Sequence, residues 1–441
     1  MINIFDRNDQ ATRDLQVSLR KAGFVQPTVI LQDDGWLPPK TESPFSWFLR
    51  EDNQGRPLFF NQVMVPAMWE IRGDNNGGAI YDYERKAAEI VYAVPKNMRL
   101  IKEVRWLDQS GKVRSIDHYN QAGWRFAQTI YNLKGQAITK TYYSQQNKEV
   151  IVVNFVTHDL LLNYRKGIYN FQSFREFVKF YLKIRKYNLD RIFYNSLSDP
   201  FFISLDQPKA GKDLLFWQEP LKQSIPGNMQ MILNGNAPRT EKIIFNEQTV
   251  FERSKKLITG KTAVECNLLG YIYEHKRENR AGNAALIMTN SDNLENFEYL
   301  VKNLPEIYFN VAAITEMSPK LMAFSIYKNV SLYPNASFNM LNNLWLNTDY
   351  YFDINHEGEL MNAVRTAFDN NLVIFGFENV VHNQRYTSPE NIYRVEDTKK
   401  LIAKVARSLK DVTYLKKLLY AQHLAANEVT RAAYQKELQL K

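Results

Sequence analysis

A turn signal recurs every 12 residues through one stretch of this chain. The tetrapeptides 108–111, 120–123, 132–135 and 144–147 begin with Asp108, Asn120, Asn132 and Ser144 and end with Gly111, Gly123, Gly135 and Asn147. That is type I turn chemistry, with a side-chain acceptor first and a residue tolerant of positive φ fourth. Strand-like runs fill the intervals at 100–107, 114–119, 124–131, 137–143 and 150–156. Even spacing without a helical period predicts an antiparallel meander of hairpins over residues 69–165. Its alternation is blurred. Within 124–131, Trp124, Phe126 and Ile130 share one face and Arg125, Thr129 and Tyr131 the other, where a sheet with one wet face would alternate cleanly. Two explanations stand: the sheet lies on the chain's own domains, or it docks a partner.

The flanks read differently. Short strands fit at 2–5 and 28–31, around an amphipathic stretch at 10–21 ended by Gly23. A Pro- and aromatic-rich segment at 36–48 reads as irregular, covered surface. Phe171, Phe174, Val178, Tyr181 and Leu182 fall at helical spacing, and strands follow at 191–194 and 213–217. Farther on, strands at 284–288, 308–312, 330–333, 350–354 and 372–377 alternate with helical runs at 294–302, 338–346 and 359–370. Alternation of this kind means parallel sheets with helices on their faces. The expected fold is α/β with two Rossmann-like units. The first is split between 1–68 and 166–248, with the meander inserted at 69–165. The second covers 249–395, and one or two basic helices cover 396–441.

Composition narrows the classes. Of 441 residues 45% are hydrophobic and 23% charged, which excludes wholesale disorder. No run approaches the roughly 18 apolar residues of a membrane span, and no signal peptide is read at Met1. Cys266 is the only cysteine, so a cysteine-cluster metal site is excluded and a cytoplasmic chain is expected. The net charge is +9, of which residues 399–441 carry +7 (ten Lys/Arg against three Asp/Glu). Those cations sit in amphipathic helices without an aromatic-basic motif, so an anionic membrane surface is a better expected partner than nucleic acid.

Familiar catalytic motifs are missing. Gly260-Lys261-Thr262 lacks the earlier glycine of a phosphate loop, since Lys255 stands there. His356-Glu357 has Leu360 where a zinc motif needs its second histidine. No metal ligand and no cofactor are expected.

Residues 355–377, NHEGELMNAVRTAFDNNLVIFGF, resemble the donor-side unit of GT-B-fold glycosyltransferases that use nucleotide sugars. Active retaining members carry two glutamates eight positions apart near the sugar and ribose. Glu357 matches the first, but Arg365 occupies the second position, and the glycine-rich turn between them reads Glu359-Leu360. Active members also set Arg and Lys against the diphosphate, whereas no Lys or Arg occurs from Ala281 through Val301. A diphosphate needs cations or a free helix N-terminus.

A wider resemblance covers nearly the whole chain. The segments SPFSWF (43–48), PLFFNQVMVP (57–66), MWEI (68–71), VRWLDQSGKVRSIDHYNQAGWRFAQT (104–129) and VVNFVTHDLLL (152–162) are similar to the GtfB family. These are non-catalytic subunits of the accessory Sec O-GlcNAc transferase complex of Gram-positive bacteria. The resemblance implies a subunit that stabilises a catalytic partner in a hetero-oligomer, a heterotetramer, and holds the serine-rich repeat adhesin that the partner modifies from UDP-GlcNAc. The alternative is an active nucleotide-sugar-dependent transferase. No catalytic residue is assigned.

Ligands of such sheets bind beyond the carboxyl ends of the strands. His158 from the first unit and His356, Glu357, Glu378, His382 and Arg385 from the second are the expected acceptor-binding residues. Trp106, Trp124, Phe126, Tyr131, Tyr142 and Tyr143 are the expected aromatic anchors of the partner interface.

Overall fold

A computed structural model describes residues 1–50 and 55–439. The chain divides into two compact units, Met1–Arg13 with Phe24–Leu268 and Asp14–Gly23 with Leu269–Lys441.

The first unit holds a seven-strand parallel sheet and the meander. In spatial order the parallel strands are Glu265–Leu268, Thr240–Phe245, Asp213–Trp217, Ile192–Tyr194, Ile2–Arg7, Thr28–Gln32 and Thr41–Glu42. Counted in chain order this is 7-6-5-4-1-2-3, the doubly wound pattern with its switch point between the first and fourth strands. The ten-strand antiparallel sheet interrupts it after the third strand, running in simple chain order from Trp69–Gly73 to Gly167–Phe171.

The 12-residue repeat works as its chemistry requires. Gly111, Gly123, Gly135 and Asn147 donate their backbone N–H to the carbonyls of Asp108, Asn120, Asn132 and Ser144 at 2.8–3.0 Å, all with φ between +57° and +88°. The first side chain of each turn accepts from the backbone. Asp108 Oδ1, for example, takes the N–H of Ser110 and Lys112 at 2.8 and 3.0 Å. The glycines are not equivalent. A Cβ on Gly111 would meet nothing within 4 Å, whereas one on Gly123 would lie well inside contact distance of the Arg56 carbonyl oxygen. Gly111→Ala should therefore cost roughly 1–2 kcal/mol for its left-handed backbone, and Gly123→Ala clearly more. Urea unfolding of both variants checks the order.

The blurred alternation also has a cause. From Phe126 onward, one face packs on the parallel-sheet layers. Phe126, Ala127, Tyr142, Ile151, Leu160, Leu162 and Phe171 share a core with Ile4, Val29, Phe45 and Phe177. Phe45 stacks on Tyr142 at 4.3 Å. The early strands close a separate core of Ile80, Ala88, Ile90, Ile101 and Val104 under Val63 of the preceding loop.

Four expectations shift. The antiparallel sheet runs to Phe171, because strand Gly167–Phe171 pairs with Leu160–Tyr164, so helix Phe174–Arg185 begins after Phe171 rather than at it. Residues 249–268 belong to the first unit, since Glu265–Leu268 pairs parallel with Thr240–Phe245. The segment 36–48 is not wholly irregular: helix Pro44–Leu49 is capped by Ser43, whose Oγ accepts from Ser46 N at 2.8 Å, and it buries Phe45 and Phe48. Three C-terminal helices form rather than one or two: Thr398–Lys410, Val412–Ala425 and Arg431–Leu438.

The second unit holds a six-strand parallel sheet in the order Val330–Tyr333, Tyr308–Ala312, Ala284–Met288, Tyr350–Asp353, Val373–Phe377 and Ile392–Tyr393. In chain order this is 3-2-1-4-5-6, again a Rossmann pattern. Leu401, Val405, Leu415 and Leu418 of the C-terminal helices join its core, while Val412 is exposed. No described helix is long and apolar enough to cross a membrane.

Candidate functional site

The second unit's switch point lies between Ala284–Met288 and Tyr350–Asp353. Its crevice is filled by the chain's own neutral groups. Asn355 Oδ1 accepts from Thr289 Oγ1 at 3.0 Å and Ser291 Oγ at 3.1 Å, and Asn355 Nδ2 donates to Asn290 Oδ1 at 2.9 Å and the Glu357 carbonyl at 3.0 Å. Polar groups that satisfy one another here leave little to offset a diphosphate's charge.

His382 clips this crevice shut. Its Nδ1 donates to Asp353 Oδ1 at 2.6 Å, its Nε2 to the Glu357 carbonyl at 2.6 Å, and its backbone N–H to Asp353 Oδ2 at 2.7 Å. Asp353 is 1% exposed. The bond to Asp353 outweighs the desolvation of the ring and raises the His382 pKa from 6.5 to about 9. The cation is thus favoured in the fold. Its stabilisation is full below about pH 6.5 and is lost as pH rises through 9. Unfolding measured between those limits should show a decline of about 2 kcal/mol that His382→Gln lacks.

Arg365 is the residue that the resemblance to GT-B transferases sets at the second glutamate position. Its guanidinium grips Asp14 through two bonds of 2.7 and 2.8 Å, and bonds Asp369 Oδ1 and the Tyr386 hydroxyl, each at 2.8 Å. It also lies over the rings of Tyr273 and Tyr386 at 4.9 and 5.0 Å. Burial disfavours its charge, but Asp14 and Asp369 more than offset that, so its pKa rises. Asp14, 351 residues away in sequence, is a member of this site that the sequence does not reveal.

The other second-unit candidates separate. His356 Nε2 faces Glu295 Oε2 at 2.9 Å, and Asn379 donates to the same oxygen at 2.7 Å. Glu357 and Glu378 are exposed at the strand ends. Arg385 lies over Tyr271 and Tyr386 at 5.1 and 5.7 Å, sharing the Tyr386 ring with Arg365.

The first unit carries a pocket of about 640 Å³ at the carboxyl ends of Ile2–Arg7 and Thr28–Gln32. Exposed His158, with φ +64°, lies on its rim. Its floor holds Asp33, which accepts from Ser43 Oγ and from Gly35 N at 2.8 Å. Burial raises the Asp33 pKa and lowers that of Lys140 opposite. Phe45, Tyr142, Phe155 and Phe174 supply aromatic walls. The adjacent Asp33-Asp34 pair just past a strand was the available sequence signal for this site.

Of the six meander aromatics, Phe126 and Tyr142 are excluded as partner anchors. They are 0% and 4% exposed within their own unit, because that face of the sheet covers the parallel layers. Trp106 donates to Asp117 Oδ2 at 2.7 Å, Trp124 packs on the core, and Tyr143 lies under Arg125 at 4.7 Å. Tyr131 is half-buried. The opposite face near the sheet's edge carries Val152, Leu161 and Ile168. Leu161 pairs with Val152 and with Asn170, and Ile168 with Asn163. Ile168 is 77% exposed and Leu161 40%.

Family models match four stretches: the GtfB N-terminal domain over 2–48, the GtfB middle domain over 69–172, the GtfB third domain over 175–257, and the GftB/GlyA-F C-terminal domain over 285–422. The middle domain coincides with the ten-strand sheet. The chain is 40% identical over 437 residues to the UDP-N-acetylglucosamine--peptide N-acetylglucosaminyltransferase stabilizing protein GtfB of Limosilactobacillus reuteri subsp. suis, covering 99% of this chain and 98% of that one. A solved GtfA/B complex bound to UDP and GlcNAc contains a chain similar at TM-score 0.96 and 40% identity, covering 100% of this chain and 99% of that one. The pneumococcal O-GlcNAc transferase GtfA, at TM-score 0.52 and 12% identity over 99% and 97% of the two chains, shares the fold. Two Rossmann-like units, an inserted antiparallel sheet and these full-length matches lead to one assignment: the chain belongs to the GtfB family.

Proposed function

We propose that this chain is the non-catalytic, stabilising subunit of a peptide O-GlcNAc transferase, binding a catalytic GtfA-type partner and holding its serine-rich acceptor polypeptide. The observation that carries the reading is the second unit's switch point, self-bonded through Asn355 and with Arg365 in place of a glutamate. A chain that keeps the transferase fold without donor chemistry suits support of a partner. The exposed Leu161–Ile168 face of the ten-strand sheet supports docking there, since a broad apolar sheet surface suits a protein interface. The acceptor is assigned to the first-unit pocket with His158 at its rim. Its aromatic walls suit an extended peptide segment.

Co-expression tests the first part: soluble catalytic subunit and transfer to a serine-rich peptide should both fall sharply without this chain. Fluorescence anisotropy tests the second: Asp34→Asn with His158→Ala should weaken peptide binding about fivefold or more while partner co-purification is kept. Unchanged affinity would move the acceptor elsewhere.

The basic C-terminal helices support a peripheral membrane contact. Helix Val412–Ala425 exposes Val412, Lys416, Tyr420 and Leu424 at four-residue spacing, with Lys417 beside them. Each Lys or Arg near an anionic surface contributes about 1 kcal/mol. Lys416→Glu with Lys417→Glu should reduce binding to anionic liposomes, and binding insensitive to salt would count against the contact.

A further inference from the structure

The six histidines are scattered in sequence, but the second unit brings two of them together. His275 and His423 stack with ring centroids 4.6 Å apart and planes within 10°. The Glu428 carboxylate faces both, at 3.0 and 3.1 Å from His275 Nε2 and 3.3 Å from His423 Nδ1. The outer nitrogens are already committed. His275 Nδ1 faces the Phe368 carbonyl at 3.2 Å, so it carries the hydrogen. His423 Nε2 faces Asn371 Oδ1 at 2.9 Å. That amide is held in its orientation because Asn371 Nδ2 donates to the Arg277 carbonyl at 2.7 Å, so His423 Nε2 also carries a hydrogen. Each neutral ring then turns a lone pair toward a carboxylate. Three acceptors converge, an arrangement that repels unless a cation joins them. One proton on His275 leaves His423 Nδ1 still facing Glu428, and a second would set two imidazolium rings in stacking contact.

We propose that His275, His423 and Glu428 form a binding site for a divalent metal ion of the zinc class. All three donor atoms lie within 4.8 Å of one another. Two imidazoles and one carboxylate are a common zinc donor set, and bonds of about 2.0 Å give a tetrahedron with edges of about 3.3 Å, close to the separations from Glu428. Outer N–H groups held by carbonyl oxygens are the second shell that metal-bound histidines carry. Stacked rings cannot both aim at one ion, so one must turn. His423, 26% exposed against 16% for His275, is the ring with room. Water completes the coordination. Bound there, the ion ties the end of helix Val412–Ala425 and the segment before Arg431–Leu438 to the strand of chain around His275.

Tag-free full-length chain, washed with chelator, would be titrated with Zn²⁺, and with Co²⁺ as a spectroscopic probe. The expected result is one ion per chain, a tetrahedral Co²⁺ absorption band, and a higher melting temperature with metal. His423→Phe keeps the stack but removes a donor, and Glu428→Gln keeps the shape. Each should weaken metal binding more than about tenfold while melting like the metal-free parent. Absence of metal uptake by the parent would overturn the site. So would equal affinity in both variants, or a melting temperature that responds to pH but not to metal, which would mean that protons alone bridge the cluster.

Discussion

Arg365→Ala should cost the chain about 3–5 kcal/mol of folding stability, because it leaves buried carboxylates without their cation. The Arg365 side chain is 12% exposed, and Asp14 and Asp369 are 6% and 21% exposed. Arg365→Lys should recover only part of this, since a point charge cannot reproduce the two-bond grip on Asp14 together with the bonds to Asp369 and Tyr386. Arg365→Glu, which restores the residue of active transferases, should be at least as damaging as alanine by setting a third carboxylate beside two others. It should also give no transfer of GlcNAc, because the stretch from Ala281 through Val301 still offers no Lys or Arg and the crevice stays self-bonded through Asn355. Urea unfolding of the three variants, with a transfer assay on those that remain folded, checks each point. Near-native stability of Arg365→Ala would mean that the network is incidental.

The ten-strand sheet should answer mutation in two opposite ways. Phe126→Ala and Tyr142→Ala empty packed core and should each cost about 3–5 kcal/mol of stability. Their effect on partner binding should follow from unfolding alone. Leu161→Asp with Ile168→Asp changes the exposed face, where surface substitutions usually stay within about 0.5 kcal/mol. That double variant should melt like the parent yet weaken the complex with the catalytic subunit by about 2 kcal/mol or more. Calorimetric melting and co-purification, run together, separate the two classes. Full co-purification of the double variant would place the interface on another surface.

What could be read from the sequence follows from how local each signal is. The turns at Asp108, Asn120, Asn132 and Ser144 are built from their own side chains and their own left-handed residues, so spacing alone located five strands. Strands such as Ala284–Met288 and Tyr308–Ala312 are apolar runs bounded by breakers, and their limits came out as the structure has them. Short elements defined by pairing with a neighbouring strand were lost. Gly167–Phe171 exists as a strand because Leu160–Tyr164 lies beside it, and Glu265–Leu268 because Thr240–Phe245 does. The helix at Pro44–Leu49 hid behind prolines, although Ser43 is a cap and Pro44 suits a first helical turn.

The site divides along the same line. Arg365 in place of a glutamate and the cation-free stretch are visible residue by residue. That Asp14 holds Arg365, that Asp353 holds His382, and that His275 meets His423 depend on chain separations of 29 to 351 residues. Period-2 patterning could not tell Phe126 and Tyr142 from surface aromatics, because both faces of that sheet are partly covered.

The proposed stabilising role requires that the second Rossmann-like unit bind no nucleotide sugar. Titration calorimetry of UDP-GlcNAc into the isolated chain tests this most directly. The expected result is no heat beyond dilution for this chain, beside clear binding by the catalytic subunit under the same conditions. Stoichiometric, saturable binding by this chain alone would contradict it.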